Sequence, residues 1–96
     1  MALRFLNYEV ITVSTTAIGF TAARLTNNIV MAKCKVIAQP LMVRADGTNP
    51  TSDAGYPYAA NEEFEVWGEP NLSKFRAIRQ GGTDANLHVA YYGVPA

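Results

Sequence analysis

A single cysteine, Cys34, excludes an intrachain disulfide, so no covalent staple holds the fold. That suits synthesis in a reducing compartment such as the bacterial cytoplasm. A single histidine, His88, leaves little material for base catalysis or metal binding. Charge of one sign is also lacking. Eight basic residues balance eight acidic ones, so no basic patch points to nucleic acid or to an anionic membrane. Long hydrophobic runs are missing too. The opening "MALRFLNYEVITVS" carries Arg4, and Asn7 and Glu9 break its apolar pieces, so it lacks the continuous stretch of a signal peptide. No stretch approaches the length of a membrane span. "NLS" (71–73) matches a glycosylation acceptor, which has meaning only in a secreted chain.

Ninety-six residues make one domain. A domain of this size buries roughly two-thirds of the surface its unfolded chain exposes. That supports one core, with little left over for a deep enzymatic cleft. Charged residues are sparse at 17%, while apolar residues reach 49%. Such a surface is consistent with a protein partner covering part of it.

What is present is alternation of period two with β-branched residues, and helical periodicity is poor. "YEVITVS" (8–14) reads as a strand. "STTAIGFTAARLT" (14–26) reads either as an irregular segment with a short strand near Phe20 or as a helical turn near "TAARL". "NIVMAKCKVIA" (28–38) is the best strand, with Val30, Ala32, Cys34, Val36 and Ala38 on one face. Met31, Lys33, Lys35 and Ile37 take the wetter one. "LMVRA" (41–45) resumes after Pro40, which suits a strand edge or start. "EEFEVWG" (62–68), with Phe64 and Val66 inward, and "SKFRAIR" (73–79) read as a hairpin around the turn "GEPN". In that hairpin Glu62, Glu63 and Glu65 face Lys74, Arg76 and Arg79, a stabilising cross-strand arrangement. "QGGTDAN" (80–86) is a turn, "LHVAYYG" (87–93) the last strand, and the final "GVPA" trails off it. Strands arrive about every 8 to 15 residues with turn punctuation between them. The expected fold is therefore all-β: a single antiparallel β-sandwich over residues 1–96, jelly-roll or Ig-like, of about 7–8 short strands.

The loop "RADGTNPTSDAGY" (44–56) supplies oxygens from Asp46, Thr48, Asn49 and Asp53. A calcium loop would need about six to eight oxygen ligands and a glycine at its sixth position. Here Gly47 directly follows Asp46, and Pro50 stiffens the middle. "ADG" and "NP" are turn signals, with Ser52 and Asp53 able to bond nearby amides. The loop therefore reads as a shaped connection and a contact surface. His88 points opposite to Leu87 and Val89 on the last strand, with nothing to orient it as a base. Cys34 alternates with apolar residues and reads as a small buried hydrophobe. The carboxylates of "NEEFE" sit in an open strand beside basic residues, unlike a glycosidase pair across a cleft. "QGGTDAN" lacks phosphate-loop spacing and a following helix. No catalytic, cofactor or metal residue is assigned.

Aromatics remain. In "YY" (91–92) one ring faces the core side and the other outward. Outward Tyr and Trp are common at interfaces. The candidate interface comprises Asp46, Asn49, Tyr56, Tyr58, Trp67, Tyr91 and Tyr92. Alternatively Tyr56, Tyr58 and Trp67 line up on one exposed face as a sugar-binding platform.

Three segments carry a resemblance: "ITVSTTAIGFTAA", "VRADGTNPTSDAGYPYAANEEFEV" and "LSKFRAIRQGGTDANLHVAYYG". Together they resemble a family of small proteins encoded among the structural genes of tailed bacteriophages. That family has a "TVS-TA-GxTAA" segment, an "R-x-DGT-x-PT" loop, a basic "FRAIR" strand and a final "L-x-V-x-YY" strand. The resemblance covers most of the chain and is weakest over 26–40. Where the family loop often reads "GH", this chain has Gly55 and Tyr56. "DGTNPT" is also similar to a turn of small β-sandwich modules appended to carbohydrate-active enzymes, a likeness of fold only. The resemblance implies a non-enzymatic virion component of β-sandwich type, with no catalytic residues to carry over. It would be a capsid decoration (cement) protein or a neck or tail accessory protein, located in the virion and made in the host cytoplasm. Its implied partners are the major capsid protein or other virion proteins and further copies of itself. The alternative from another class is a carbohydrate-binding module of a tail fibre.

Overall fold

The computed structural model describes residues 3–25, 29–51 and 53–94. The strands are β1 (Arg4–Val13), β2 (Ile29–Ile37), β3 (Leu41–Arg44), β4 (Tyr56–Tyr58), β5 (Glu63–Trp67), β6 (Arg76–Arg79) and β7 (Ala85–Gly93). A 3₁₀ turn (Ala22–Arg24) precedes β2, and one helix, α1 (Glu69–Lys74), separates β5 from β6. The strands form two antiparallel sheets, ordered β1-β7-β2-β5 and β4-β3-β6. The protein is a small all-β sandwich.

Strand β7 shows why. Ala85, Leu87, Val89, Tyr91 and Gly93 are buried, and the residues between them are half-buried. It lies second in the larger sheet, paired on both sides, so one face fills the core and the other faces outward. Ala32, Cys34 and Val36 of β2 join the same core, while Lys33 and Lys35 point out. From the smaller sheet Leu41, Val43 and Ala77 close it.

Several expectations need correction. Val30 is not in the core cluster, and Ile29 is. A register shift between Ile29 and Met31 inserts one residue and flips the parity beyond it. Ala38 is exposed, because β2 ends at Ile37 and Ala38 turns the chain at φ 78°. The first strand begins at Arg4, because pairing with β7 continues to Gly93. Segment 14–26, described to residue 25, is irregular. It holds a single bridge, Ile18 to Ala77, as well as the 3₁₀ turn.

The largest correction concerns residues 62–79. They are not a hairpin. Strand β5 pairs with β2, and β6 pairs with β3 in the other sheet. The intervening "EPNLSK" is helical, with Pro70 in its first turn, where a missing N–H costs nothing. Glu69 in the first turn and Lys74 in the last complement the helix dipole. Leu72 and Phe75, three apart, pin this crossover to the core. The expected ladder of Glu against Lys and Arg is therefore absent. Glu65 and Glu63 lie opposite Lys33 and Lys35 in the register, with Lys33 Nζ 3.8 Å from Glu63. Arg79 bonds Asp84 at 2.7 Å. The trailing Pro95 and Ala96 lie outside the described residues.

Candidate functional site

The loop between β3 and β4 closes a hairpin, with Val43 opposite Tyr56. Both oxygens of Asp46 accept from the Arg44 guanidinium, and Oδ1 also accepts from the Thr48 amide at 3.1 Å. This holds the Asp46 carboxyl below its usual range through the bond and charge of Arg44. Thr51 Oγ1 accepts from the amides of Asp53 and Ala54 at 3.3 and 3.0 Å. The Asp53 side chain is not the bonding group, and Ser52 lies outside the described residues. Gly55 has φ 148°, and a Cβ there would approach the Val43 carbonyl to 3.2 Å. These are turn devices that fix the approach to Tyr56. Among the described residues no group of three His, Cys, Asp or Glu could hold a metal ion.

The structure divides the seven candidate residues. Asp46 and Asn49 lie in the exposed loop. Tyr91 is 0% exposed and is a core residue, so it is corrected out of the interface. It shares parity with Leu87 and Val89 and meets Phe20 edge-on. Tyr92 takes the outward place and meets Phe5 edge-on at 5.9 Å.

The other three converge. Strand β5 is the edge of one sheet and β4 the edge of the other, and among the described residues no strand bridges them. Between them opens a groove of about 300 Å³ lined by Tyr56, Tyr58 and Trp67. Its floor is apolar: Phe64 and Phe75 lie there. Tyr58 stacks on Phe64 at 4.2 Å, and Tyr56 tilts against Tyr58 at 5.2 Å. Burial pushes the Tyr58 hydroxyl pKa up, so it stays protonated. Arg44, Glu65 and Asn71 add polar groups to the lining. One bond orients the Trp67 ring and another holds its backbone. Its indole Nε1 donates to Glu65 Oε1 at 2.9 Å, and Asn71 Nδ2 donates to its carbonyl at 2.9 Å. Tyr56 and Trp67 are 65% and 51% exposed.

The outer face of the four-stranded sheet carries a second feature. Register places Phe5 beside Tyr92, Tyr92 beside Met31, and Met31 beside Trp67. An apolar row thus crosses all four strands, roughly 15 Å at about 4.8 Å per strand spacing. Phe5 is 56% exposed, and Tyr8 and Val10 extend the patch along β1.

The opposite side of the sandwich holds a polar cluster that patterning did not single out. Glu9 shares parity with Ile11 and Val13, and that alternation was the available signal. Its carboxylate, 9% exposed, accepts from Thr21 Oγ1 at 2.5 Å, from the Thr21 amide at 3.2 Å and from the Tyr91 hydroxyl. Arg24 Nε lies 3.5 Å away, and its Nη1 bonds Asn7 Oδ1 at 2.5 Å. Burial alone would raise the Glu9 pKa. The bonds from Thr21 and Tyr91 and the charge of Arg24 outweigh it, and the net shift is downward. Tyr91 moves up, through burial and the bond to Glu9. A carboxylate with both oxygens engaged is a structural acceptor, not a free base.

His88 Nδ1 pairs with the Tyr8 hydroxyl at 2.6 Å on the outer face, and its cross-strand neighbours are Val10 and Lys35. Cys34 is fully buried, and desolvation raises its pKa, the reverse of what thiolate chemistry needs. Searched against family models, curated proteins and solved structures, the chain gives no significant match.

Proposed function

We propose that this chain is a non-enzymatic structural module of a tailed-phage particle, a decoration protein that binds and stabilises the capsid lattice. The observation that carries the reading is the outer sheet face on which exposed Phe5 and Trp67 flank half-buried Tyr92 and buried Met31, with exposed Tyr8 and Val10 along β1. Large exposed apolar patches on a small soluble domain mark contact surfaces. The resemblance of the 11–23, 43–66 and 72–93 segments to phage structural proteins supplies the setting. Balanced charge supplies no route to nucleic acid. In this reading the face docks on the major capsid protein, and copies assemble with the symmetry of the lattice. Burying the row supplies affinity at roughly 25 cal/mol per Å² before association costs.

Quantitative mass spectrometry of gradient-purified particles tests it. One copy per capsid subunit, or a simple fraction of that, is the expected result, and Phe5→Asp lowers the occupancy. A copy number matching a single ring or spike moves the protein to the neck or tail. Absence from the particle removes the virion reading.

A further inference from the structure

We propose that the groove between β4 and β5 is a binding site for a single neutral pyranose ring. Two different kinds of group meet there. Tyr56 and Trp67 present aromatic surface to solvent from opposite sheets, and Tyr58 shares the lining, tilted against Tyr56. The polar groups on the lining are already neutralised or partly used. Arg44 is tied through two nitrogens to Asp46. Glu65 has one oxygen engaged by the Trp67 indole, and Asn71 has one of its two amide N–H groups on the Trp67 carbonyl. What remains is one carboxylate oxygen, the Asn71 amide oxygen and second N–H, the rest of the guanidinium and two phenolic hydroxyls.

That set suits a ligand with an apolar C–H face and a rim of hydroxyls. The C–H face stacks on an aromatic ring, and the hydroxyls donate to Glu65 and Asn71 and accept from Arg44. An anion meets the Glu65 carboxylate. A purely apolar ligand leaves those acceptors dry and unpaired, which is costly. The volume of about 300 Å³ sits at the small end of ligand sites, so the site takes a ring rather than a long chain. The bond from the Trp67 indole to Glu65 orients the ring, and preorganisation lowers the cost of binding.

Trp67 is the only tryptophan in the chain and is therefore the reporter. The experiment titrates the purified full chain with D-glucose, D-galactose and N-acetyl-D-glucosamine to roughly 100 mM. That range exceeds the millimolar constants expected for a ligand of about a dozen non-hydrogen atoms. The expected result is a saturable change in Trp67 fluorescence with at least one sugar. Tyr56→Ala, exposed and free of core packing, is expected to weaken it about tenfold. A flat titration with all three sugars overturns the proposal. So does an equal response to glycerol, or saturation that Tyr56→Ala leaves unchanged. Saturation by a proline-rich peptide with no sugar response reassigns the groove to a protein partner and also overturns it. Particle copy number is read separately, so failure here leaves the lattice reading standing, and the reverse.

Discussion

The two flanks of the sandwich are built differently. On one flank residues 14–25, which follow β1 on the way to β2, cross from the edge strand β1 to the edge strand β6. This crossover bridges β6 through Ile18, inserts Phe20 and lays Thr21 and Arg24 over Glu9. On the other flank the edges β4 and β5 are joined only by residues 59–62, too short to cover what lies between. The first flank is sealed with an aromatic stack and a polar cluster in which both Glu9 oxygens are engaged. The second leaves aromatic rings lining a groove. Both flanks close on the same aromatic core. Phe20 stacks on Phe75 at 4.2 Å, and Phe75 reaches Phe64 at 6.0 Å beneath the groove. The lesson is that connection length decides which edge of a small sandwich is free to bind.

Breaking the sealed flank should give the largest effects. Phe20→Ala removes a buried ring that stacks on Phe75 and meets Tyr91. The expected loss is about 3–5 kcal/mol, a large share of a small domain's total stability. Urea denaturation followed by Trp67 fluorescence reads it. If Phe20→Ala cost no more than an exposed substitution, the crossover would not be sealing the core.

Next comes Gly19→Ala. A Cβ at Gly19 would fall 2.6 Å from the Phe75 carbonyl oxygen and from Arg76 Nη1. The carbonyl belongs to the backbone and cannot swing aside, so the expected cost is about 1–3 kcal/mol. Gly68→Ala meets no atom within 4 Å, and its cost comes from φ 89° alone. A larger urea-midpoint shift for Gly19→Ala than for Gly68→Ala checks the close approach of the crossover.

Glu9→Gln sharpens the polar half of the seal. The folded Glu9 pKa lies below its ordinary value of 4.5. The unfolded chain therefore binds the proton more readily. The contribution of Glu9 to stability is full above the ordinary value and is lost as pH falls through the lower folded one. Glu9→Gln should cost about 1–3 kcal/mol at neutral pH. It should also flatten the decline of stability in acid. Urea midpoints at neutral pH and near pH 3 measure both, and an unchanged acid slope would show that another group carries it.

How much of this was legible follows from where the information sits. The faces of β7 and most of β2 are written in local alternation, and so is the all-β class. Pairing is not local. Residues 62–79 look like a hairpin because two strand-like runs flank a Gly-Pro turn signal. The spacing of Leu72 and Phe75 and the early Pro70 favour the helix that is there. The bulge at residues 29–31 has no sequence mark, so Val30 and Ile29 exchange roles. Tyr56, Tyr58 and Trp67 stand out as aromatics in turns and edges. Their meeting depends on β4 and β5 being edges of different sheets, which no short window encodes. Tyr91 was separable from Tyr92 by its parity with Leu87 and Val89.

The smallest stability effect belongs to the open flank, and that makes it informative. Among the described residues Tyr56 is the most exposed of the large hydrophobic side chains. Its ring leans on Tyr58 but fills no core space, and its removal leaves Tyr58 stacked on Phe64. Tyr56→Ser should therefore shift stability by no more than about 0.5 kcal/mol, the range of surface substitutions. The contrast with Phe20→Ala is the point, because both residues are aromatic and both lie on a flank of the sandwich. A ring retained where it adds nothing to stability is free to serve a contact. If Tyr56→Ser instead cost as much as a core deletion, the ring would be sealing its flank as Phe20 seals the other. The groove would then be an accident of packing.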